Sequence, residues 1–220
     1  MRTPMETTLT ISSRNYSSWS MRGWLLAKLV GLEFETVVVP VDDAAARAEL
    51  LLLSPSILVP CLQHDGIKVW DTLAICEYLN EIRPDAQLLP ADRNARAHCR
   101  AICGEMHSGF SALRGALPMN LRGRFPDFRI WSRAQDDIER IVTIWRECLS
   151  RYGGPWLFGE ISAADAMYAP VVTRFLTYDV KVDPDIGAYC VQVMKHPLVA
   201  EWIDAAQAET EDIDELDVEF

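Results

Sequence analysis

Two stretches of this chain combine residue types that can handle a small charged molecule. The first is Ser12-Ser13-Arg14-Asn15-Tyr16-Ser17-Ser18-Trp19-Ser20-Met21-Arg22, which crowds hydroxyl groups into the junction between an apolar strand pattern and a helical one. A hydroxyl at a helix start stands beside free N–H groups and the positive end of the helix dipole, so the junction favours negative charge. If Ser17 directs its hydroxyl at a thiol sulfur, the donated bond favours the thiolate and lowers a pKa ordinarily near ~8.5. A shift of about two units asks for roughly 3 kcal/mol, within reach of one charge-assisted hydrogen bond plus a helix terminus. Asn15, Tyr16 and Ser18 are alternative donors in the same turn. Ser17 or Ser18 would serve equally as a plain helix N-cap.

The second stretch, residues 58–79, reads LVPCLQHDGIKVWDTLAICEYL. Pro60 biases Val59 to an extended conformation and lacks an N–H, which suits a strand start or an edge where a ligand can pair with the backbone. Asp65-Gly66 is a two-residue hairpin signal, because both central residues of a type I′ turn need positive φ. After Trp70 the apolar period lengthens to that of a helix, with Asp71-Thr72 at its start. The free N–H groups and the Thr72 hydroxyl suit a carboxylate, and Asp71 suits an ammonium, so the pair fits an α-amino acid. Taken singly, Asp71 and Thr72 also fit a simple N-cap, and Pro60 a simple edge strand.

The elements that must position these groups follow from periodicity. Strands are expected over 8–12, 34–39, 59–63 and 67–70, and helices over 19–30, 44–53 and 71–82, a βαβαββα order in which a crossover helix links parallel strands. Residues 1–87 form this α/β domain, 88–95 a linker, and 96–220 an all-helical domain with helices near 92–117, 130–152, 163–178, 186–194 and 198–209. Ser162-Ala163-Ala164-Asp165 has the spacing of a capping box, a folding feature. Open α/β sheets bind ligands at the carboxyl ends of their strands, where the Ser17 turn falls.

Composition narrows the function. With net charge −11 and pI near 4.8, the chain is a poor partner for nucleic acid or an anionic membrane surface. No leader-like apolar segment and no membrane-length apolar run occurs, so a cytoplasmic protein is expected. Cys61, Cys76, Cys99, Cys103, Cys148 and Cys190 lie in mostly apolar surroundings without a C-x-x-C pair, and read as reduced core thiols rather than zinc ligands. The absence of a G-x-S-x-G elbow argues against a serine hydrolase. Seven acids crowd the last twelve residues and repel one another.

Together these segments resemble the cytosolic glutathione S-transferase superfamily, over nearly the whole chain. Ser17-Ser18-Trp19 with Met21-Arg22 resembles the active-site segment of serine-type, zeta-like bacterial members. Val59-Pro60 corresponds to the family's cis-proline, whose preceding residue pairs with the cysteinyl part of glutathione. Asp71-Thr72 corresponds to the pair that holds the γ-glutamyl group. The resemblance implies a thioredoxin-like domain, glutathione as co-substrate without a metal, a homodimer, and glutathionyl transfer to an electrophile. Zeta-type cis-trans isomerisation and non-catalytic ligand binding are the other readings. In the zeta pattern the catalytic serine falls at Asn15, whereas alignment on the arginine puts Ser17 where other classes carry cysteine. Serine cannot form a mixed disulfide, so that mechanism is disfavoured. The acceptor is expected between the domains, against Trp19, Met106, Phe110 and Met119. Arg114, Arg122, Arg124, Arg129 and Arg133 form an arginine-rich loop that is expected to border the cleft and draw an anionic acceptor or the glycine carboxylate of glutathione.

Overall fold

The computed structural model describes residues 7–39 and 59–210. Its sheet is built around β1 (Thr8–Ile11), which pairs in parallel with β2 (Glu35–Val38) and antiparallel with β3 (Cys61–His64). β4 (Ile67–Trp70) completes the order β2-β1-β3-β4. Leu9 and Ile11 point to the core and Thr8 and Thr10 to the other face, as a period of two requires. Between β3 and β4, Asp65 and Gly66 take φ values of 49° and 80°, the positive pair the hairpin needs. The helix expected over 44–53 lies outside the described residues.

Among the described residues, two helices accompany the sheet: α1 (Ser18–Leu29) and α2 (Thr72–Ile82). The helical domain follows with α3 (Arg93–Ser108), α4 (Ser111–Ala116), α5 (Ser132–Tyr152), α6 (Ala163–Thr177), α7 (Pro184–Met194) and α8 (Pro197–Gln207). No helix among the described residues is long and apolar enough to cross a membrane. One expected helix, 92–117, is two. The chain breaks at Gly109, where a Cβ would stand 2.7 Å from the Glu105 carbonyl oxygen, and at Phe110, which takes φ 58°. Arg114 seals the break by donating to the carbonyls of His107 and Gly109, a cationic cap on a helix C-terminus.

α6 is the axis of the helical domain and is buried along almost its whole length. Trp145 of α5 packs among Tyr168, Phe175 and Tyr189, with centroid separations of 5.8, 5.4 and 5.0 Å, within the range of favourable aromatic pairs. The six cysteines are buried. Burial pushes the Cys76 and Cys148 thiols up to about 12, which makes them packing groups and not nucleophiles.

The capping box starts α6, and Asp165 does more in it than the sequence indicates. One carboxylate oxygen accepts from the Ser162 N–H at 2.9 Å and the Ser162 hydroxyl at 3.1 Å. The other accepts from the Leu157 N–H and the Tyr189 hydroxyl, both at 3.1 Å. Burial pushes this carboxyl up to about 6 against the pull of those bonds. Because the folded pKa is raised, the group's stabilising contribution is complete below its unfolded value and is lost as pH rises through about 6. Two predictions follow from the same residue. Asp165→Ala strands buried donors and is expected to cost about 3 kcal/mol or more. In urea unfolding, the stability of the parent relative to Asp165→Asn is expected to fall between pH 4 and pH 7, by ~2–3 kcal/mol.

Candidate functional site

Strand register gathers the candidate residues at one end of the sheet. Thr10 of β1 faces Cys61, and Cys61 faces Trp70 of β4. The exit of β1 into the serine-rich turn therefore neighbours Pro60, just before β3, and Asp71, just after β4. Val59-Pro60 is a cis peptide. The Pro60 ring lies against α1 at Gly23, where a Cβ would be 2.5 Å from the Pro60 Cγ. α1 can approach the proline this closely only because residue 23 has no side chain.

Ser17 is the N-cap of α1 and is half-buried. Its hydroxyl accepts from the Ser20 N–H at 3.3 Å and donates to the Ser20 Oγ at 2.9 Å. Ser20 is fully buried, and its Oγ also accepts from the Ser12 N–H at 3.1 Å. The Ser17 proton is thus parked on an oxygen already supplied with a donor, and rotation toward another acceptor leaves no buried N–H unpaired. Ser20 was not among the residues singled out from sequence, although its position one turn after Ser17 is the signal that it could be reached.

The other three candidates in the turn are committed elsewhere. Asn15 has no exposed surface. Its Nδ2 donates to Asn120 Oδ1 at 3.1 Å and its Oδ1 accepts from the Arg122 N–H at 3.0 Å, so it ties the turn to the loop after α4. The Tyr16 hydroxyl accepts from Arg122 at 3.3 Å, and the Arg122 guanidinium lies 5.8 Å from the Tyr16 ring. Ser18 is buried and accepts from Arg22 at 3.2 Å.

Asp71 caps α2 through bonds from the N–H groups of Leu73 and Ala74 at 2.8 and 3.2 Å. Its backbone takes φ 76°, a conformation that L side chains rarely adopt. Such strain persists where a site needs a particular geometry. Thr72, the first helical residue, is buried. The second Asp71 oxygen meets Nε2 of His107 on α3 at 3.0 Å. His107 packs edge-on to Trp19 of α1 with centroids 5.1 Å apart. His107 therefore joins the helical domain to both halves of the site; no spacing in the sequence pairs it with Asp71.

Met106, Phe110 and Met119, expected as an acceptor wall, are core residues with exposures of 0, 7 and 1%. Their side chains belong to the hydrophobic core cluster. Arg122 spends its guanidinium on Tyr16 and on the Glu209 carbonyl, and Arg124 donates to carbonyls of its own loop. The arginines that do gather near Trp19 are others. The guanidinium groups of Arg22 and Arg114 lie 4.6 and 5.3 Å from the Trp19 ring. Arg22 has no exposed surface, bonds the Met167 carbonyl at 2.7 Å, and leaves Nη2 without a hydrogen-bond partner among the described residues. Burial, then the like charges of Arg174 and Arg114, pulls its pKa well below the usual value. Arg174 is buried on the carbonyls of Leu117 and Pro170, and burial followed by repulsion from Arg114 lowers it to about 10. Of the arginines expected at the acceptor, Arg114 alone joins this cluster.

The sequence matches two family models, "Glutathione S-transferase, N-terminal domain" over residues 16–82 and "Glutathione S-transferase, C-terminal domain" over residues 100–205. The chain belongs to the glutathione S-transferase family. It is 31% identical over 175 residues to maleylacetoacetate isomerase of Rattus norvegicus, covering 78% of this chain and 79% of the relative. It is 29% identical over 168 residues to glutathione S-transferase 1 of Dianthus caryophyllus, covering 75% and 76%. A glutathione transferase homologue from Burkholderia, solved with bound glutathione, superposes with TM-score 0.70 at 25% identity, covering 93% of this chain and 99% of the other. The thioredoxin-like domain followed by a helical domain is thus the transferase fold, and the isomerase relatives make this transferase zeta-like.

The approach of α1 to Pro60 gives a test of the site's framework. Gly23→Ala places a methyl against a rigid ring, so α1 must shift. Overpacking of this kind costs about 1–3 kcal/mol. Thermal unfolding is expected to register that loss, with calorimetry showing weaker glutathione binding.

Proposed function

We propose that this glutathione S-transferase holds glutathione along the sheet end, activates its thiol at the start of α1, and adds the thiolate to an electrophilic carbon of an anionic small molecule. In this reading the Val59 backbone beside the cis-proline pairs with the cysteinyl part, and Asp71 with Thr72 and the α2 N-terminus receives the γ-glutamyl end. Ser17 donates to the sulfur. Asn15, Tyr16 and Ser18 act through the shape of the turn, since their polar atoms are already bonded.

The observation that carries the glutathione half is the backbone of Asp71, held at φ 76° where the α2 N-terminus, a carboxylate oxygen facing His107 and the cis-proline strand converge. The acceptor half rests on Arg22 and Arg114 beside the Trp19 ring and on Arg174, whose charge acts on Arg22; their hydrogen bonds go to carbonyls and one hydroxyl, and Asp137 is the carboxylate that acts on Arg114. Arg22 and Arg174 are the buried cations of the three, and an anionic acceptor would offset the cost of burying them.

Isomerisation is the second reading, favoured by the maleylacetoacetate isomerase relatives. The thiolate would add to a cis-enone acid, converting the double bond to a single bond about which rotation is free. Elimination would then restore the trans double bond and the thiolate. A transferase consumes glutathione in proportion to product, whereas an isomerase returns it, so a thiol assay beside a product assay separates the two.

Ser17→Ala is expected to raise the pKa of bound glutathione by about one to two units and to lower kcat/KM at neutral pH about 10- to 100-fold. An unshifted thiol in the parent, or full activity in this variant, overturns the thiolate assignment. Arg114→Gln is expected to raise KM about tenfold for carboxylate-bearing acceptors while leaving neutral aryl electrophiles near parental values. An equal effect on both classes removes the anion preference.

A further inference from the structure

The end of α8 reaches back to the turn that carries Ser17. The Glu209 side chain is only 15% exposed. Its carboxylate accepts from the Ser13 hydroxyl at 2.8 Å, from the Arg14 N–H at 2.8 and 3.0 Å, and from the Asn15 N–H at 3.2 Å. The Arg14 guanidinium stands 3.6 Å away. Consecutive backbone N–H groups turned inward make an anion-binding concavity. Here the chain fills it with its own carboxylate.

The surrounding bonds hold the two segments in register. Trp202 Nε1 donates to the Arg14 carbonyl at 3.0 Å, Arg122 donates to the Glu209 carbonyl at 2.9 Å, and Gln207 donates to the Leu121 carbonyl at 3.2 Å. Ser13 transmits the contact toward Ser17. While its hydroxyl donates to Glu209, its oxygen accepts from the N–H groups of Asn15 and Tyr16 at 3.1 and 3.3 Å, and its carbonyl accepts from the Ser17 N–H at 3.0 Å. Removing the carboxylate frees the Ser13 hydroxyl to rotate and leaves the Arg14 N–H without its acceptor.

We propose that Glu209 is a positioning residue for the thiol site: it locks the 13–17 turn and so fixes the Ser17 hydroxyl and the first N–H groups of α1. The proposal rests on the thiolate reading given above. A purely electrostatic role for Glu209 has the opposite sign, because a carboxylate near the turn disfavours a thiolate and its removal would lower the thiol pKa.

The test uses the full chain with Glu209→Ala, Glu209→Gln and Glu209→Asp, and with Glu201→Gln as a control that removes one charge from the exposed Lys28 pair on the same helix. Three quantities are read: amide exchange at Arg14 and Asn15, the pKa of glutathione bound to each protein, and the pH dependence of kcat and of KM for glutathione. In Glu209→Ala and Glu209→Gln, exchange at both amides is expected to accelerate about tenfold or more. The thiol pKa is expected to rise by about one unit, so kcat falls near neutral pH and recovers in alkali. Glu209→Asp is expected to recover part of the loss, and Glu201→Gln to match the parent. A general loss of structure would depress kcat equally at every pH. Unchanged exchange at Arg14 and Asn15, or faster exchange with an unchanged or lowered thiol pKa, overturns the proposal. If the parent itself leaves the glutathione thiol unshifted, the thiolate reading fails and Glu209 has no catalytic geometry to position; the exchange data then report the latch alone.

Discussion

The contact between the Pro60 ring and the bare backbone of Gly23 sets the spacing on which the site depends. Pro60 belongs to the sheet end that presents Val59 and Asp71, and Gly23 belongs to the helix that begins at Ser17. With no Cβ between them, the start of α1 is held close to the start of β3. In the proposed reading, a hydroxyl at the helix terminus and the backbone just before β3 then act on different parts of one extended ligand. Close-packed interiors transmit such constraints because they have no slack to absorb them. Asp71 meets the same limit from the other side: its backbone is held at positive φ between the end of β4 and the first turn of α2.

Charge is distributed in two opposing ways. The chain as a whole carries −11, yet its buried charges near Trp19 are guanidinium groups. Arginine tolerates this better than lysine, since a delocalised cation gives up less hydration and its fork can use carbonyl acceptors. Arg22 and Arg174 do so on Met167, Leu117 and Pro170. Burial still lowers both, with repulsion from Arg174 and Arg114 added at Arg22 and repulsion from Arg114 added at Arg174. His107 with Asp71 supplies the nearby link between the domains, so the interface carries the polar groups of the site as well as apolar packing.

Much of the framework is legible in local sequence. Asp65-Gly66 specifies its turn, Ser162 with Asp165 specifies the start of α6, and Asp71-Thr72 marks the start of α2, because each depends on residues within one turn of each other. Ser17 is legible for the same reason, as the cap of α1. What escapes is long-range. Asn15 looks like a free donor until Asn120 and the Arg122 N–H take both ends of its amide. Met106, Phe110 and Met119 have the composition of an acceptor wall and the burial of a core, two states that periodicity alone does not separate. The helix expected to run past residue 109 ends there because of a backbone approach and a positive φ at Phe110, a residue type that gives no such signal.

The serine chain lets the turn reconcile folding with the proposed chemistry. A helix N-cap must accept from the first turn, and a thiolate stabiliser must donate. Ser17 can do both because a hydroxyl has one donor and two acceptor positions. Its oxygen accepts from the Ser20 N–H while its proton rests on the Ser20 Oγ. When that proton turns toward a more basic acceptor, the cap bond need not break, and Ser20 keeps its bond from the Ser12 N–H. In the proposed activation the cost is therefore the difference between two hydrogen bonds, one neutral and one charge-assisted, and not the loss of a cap. An alanine at either position removes part of that exchange, but only at residue 17 does it remove the donor itself.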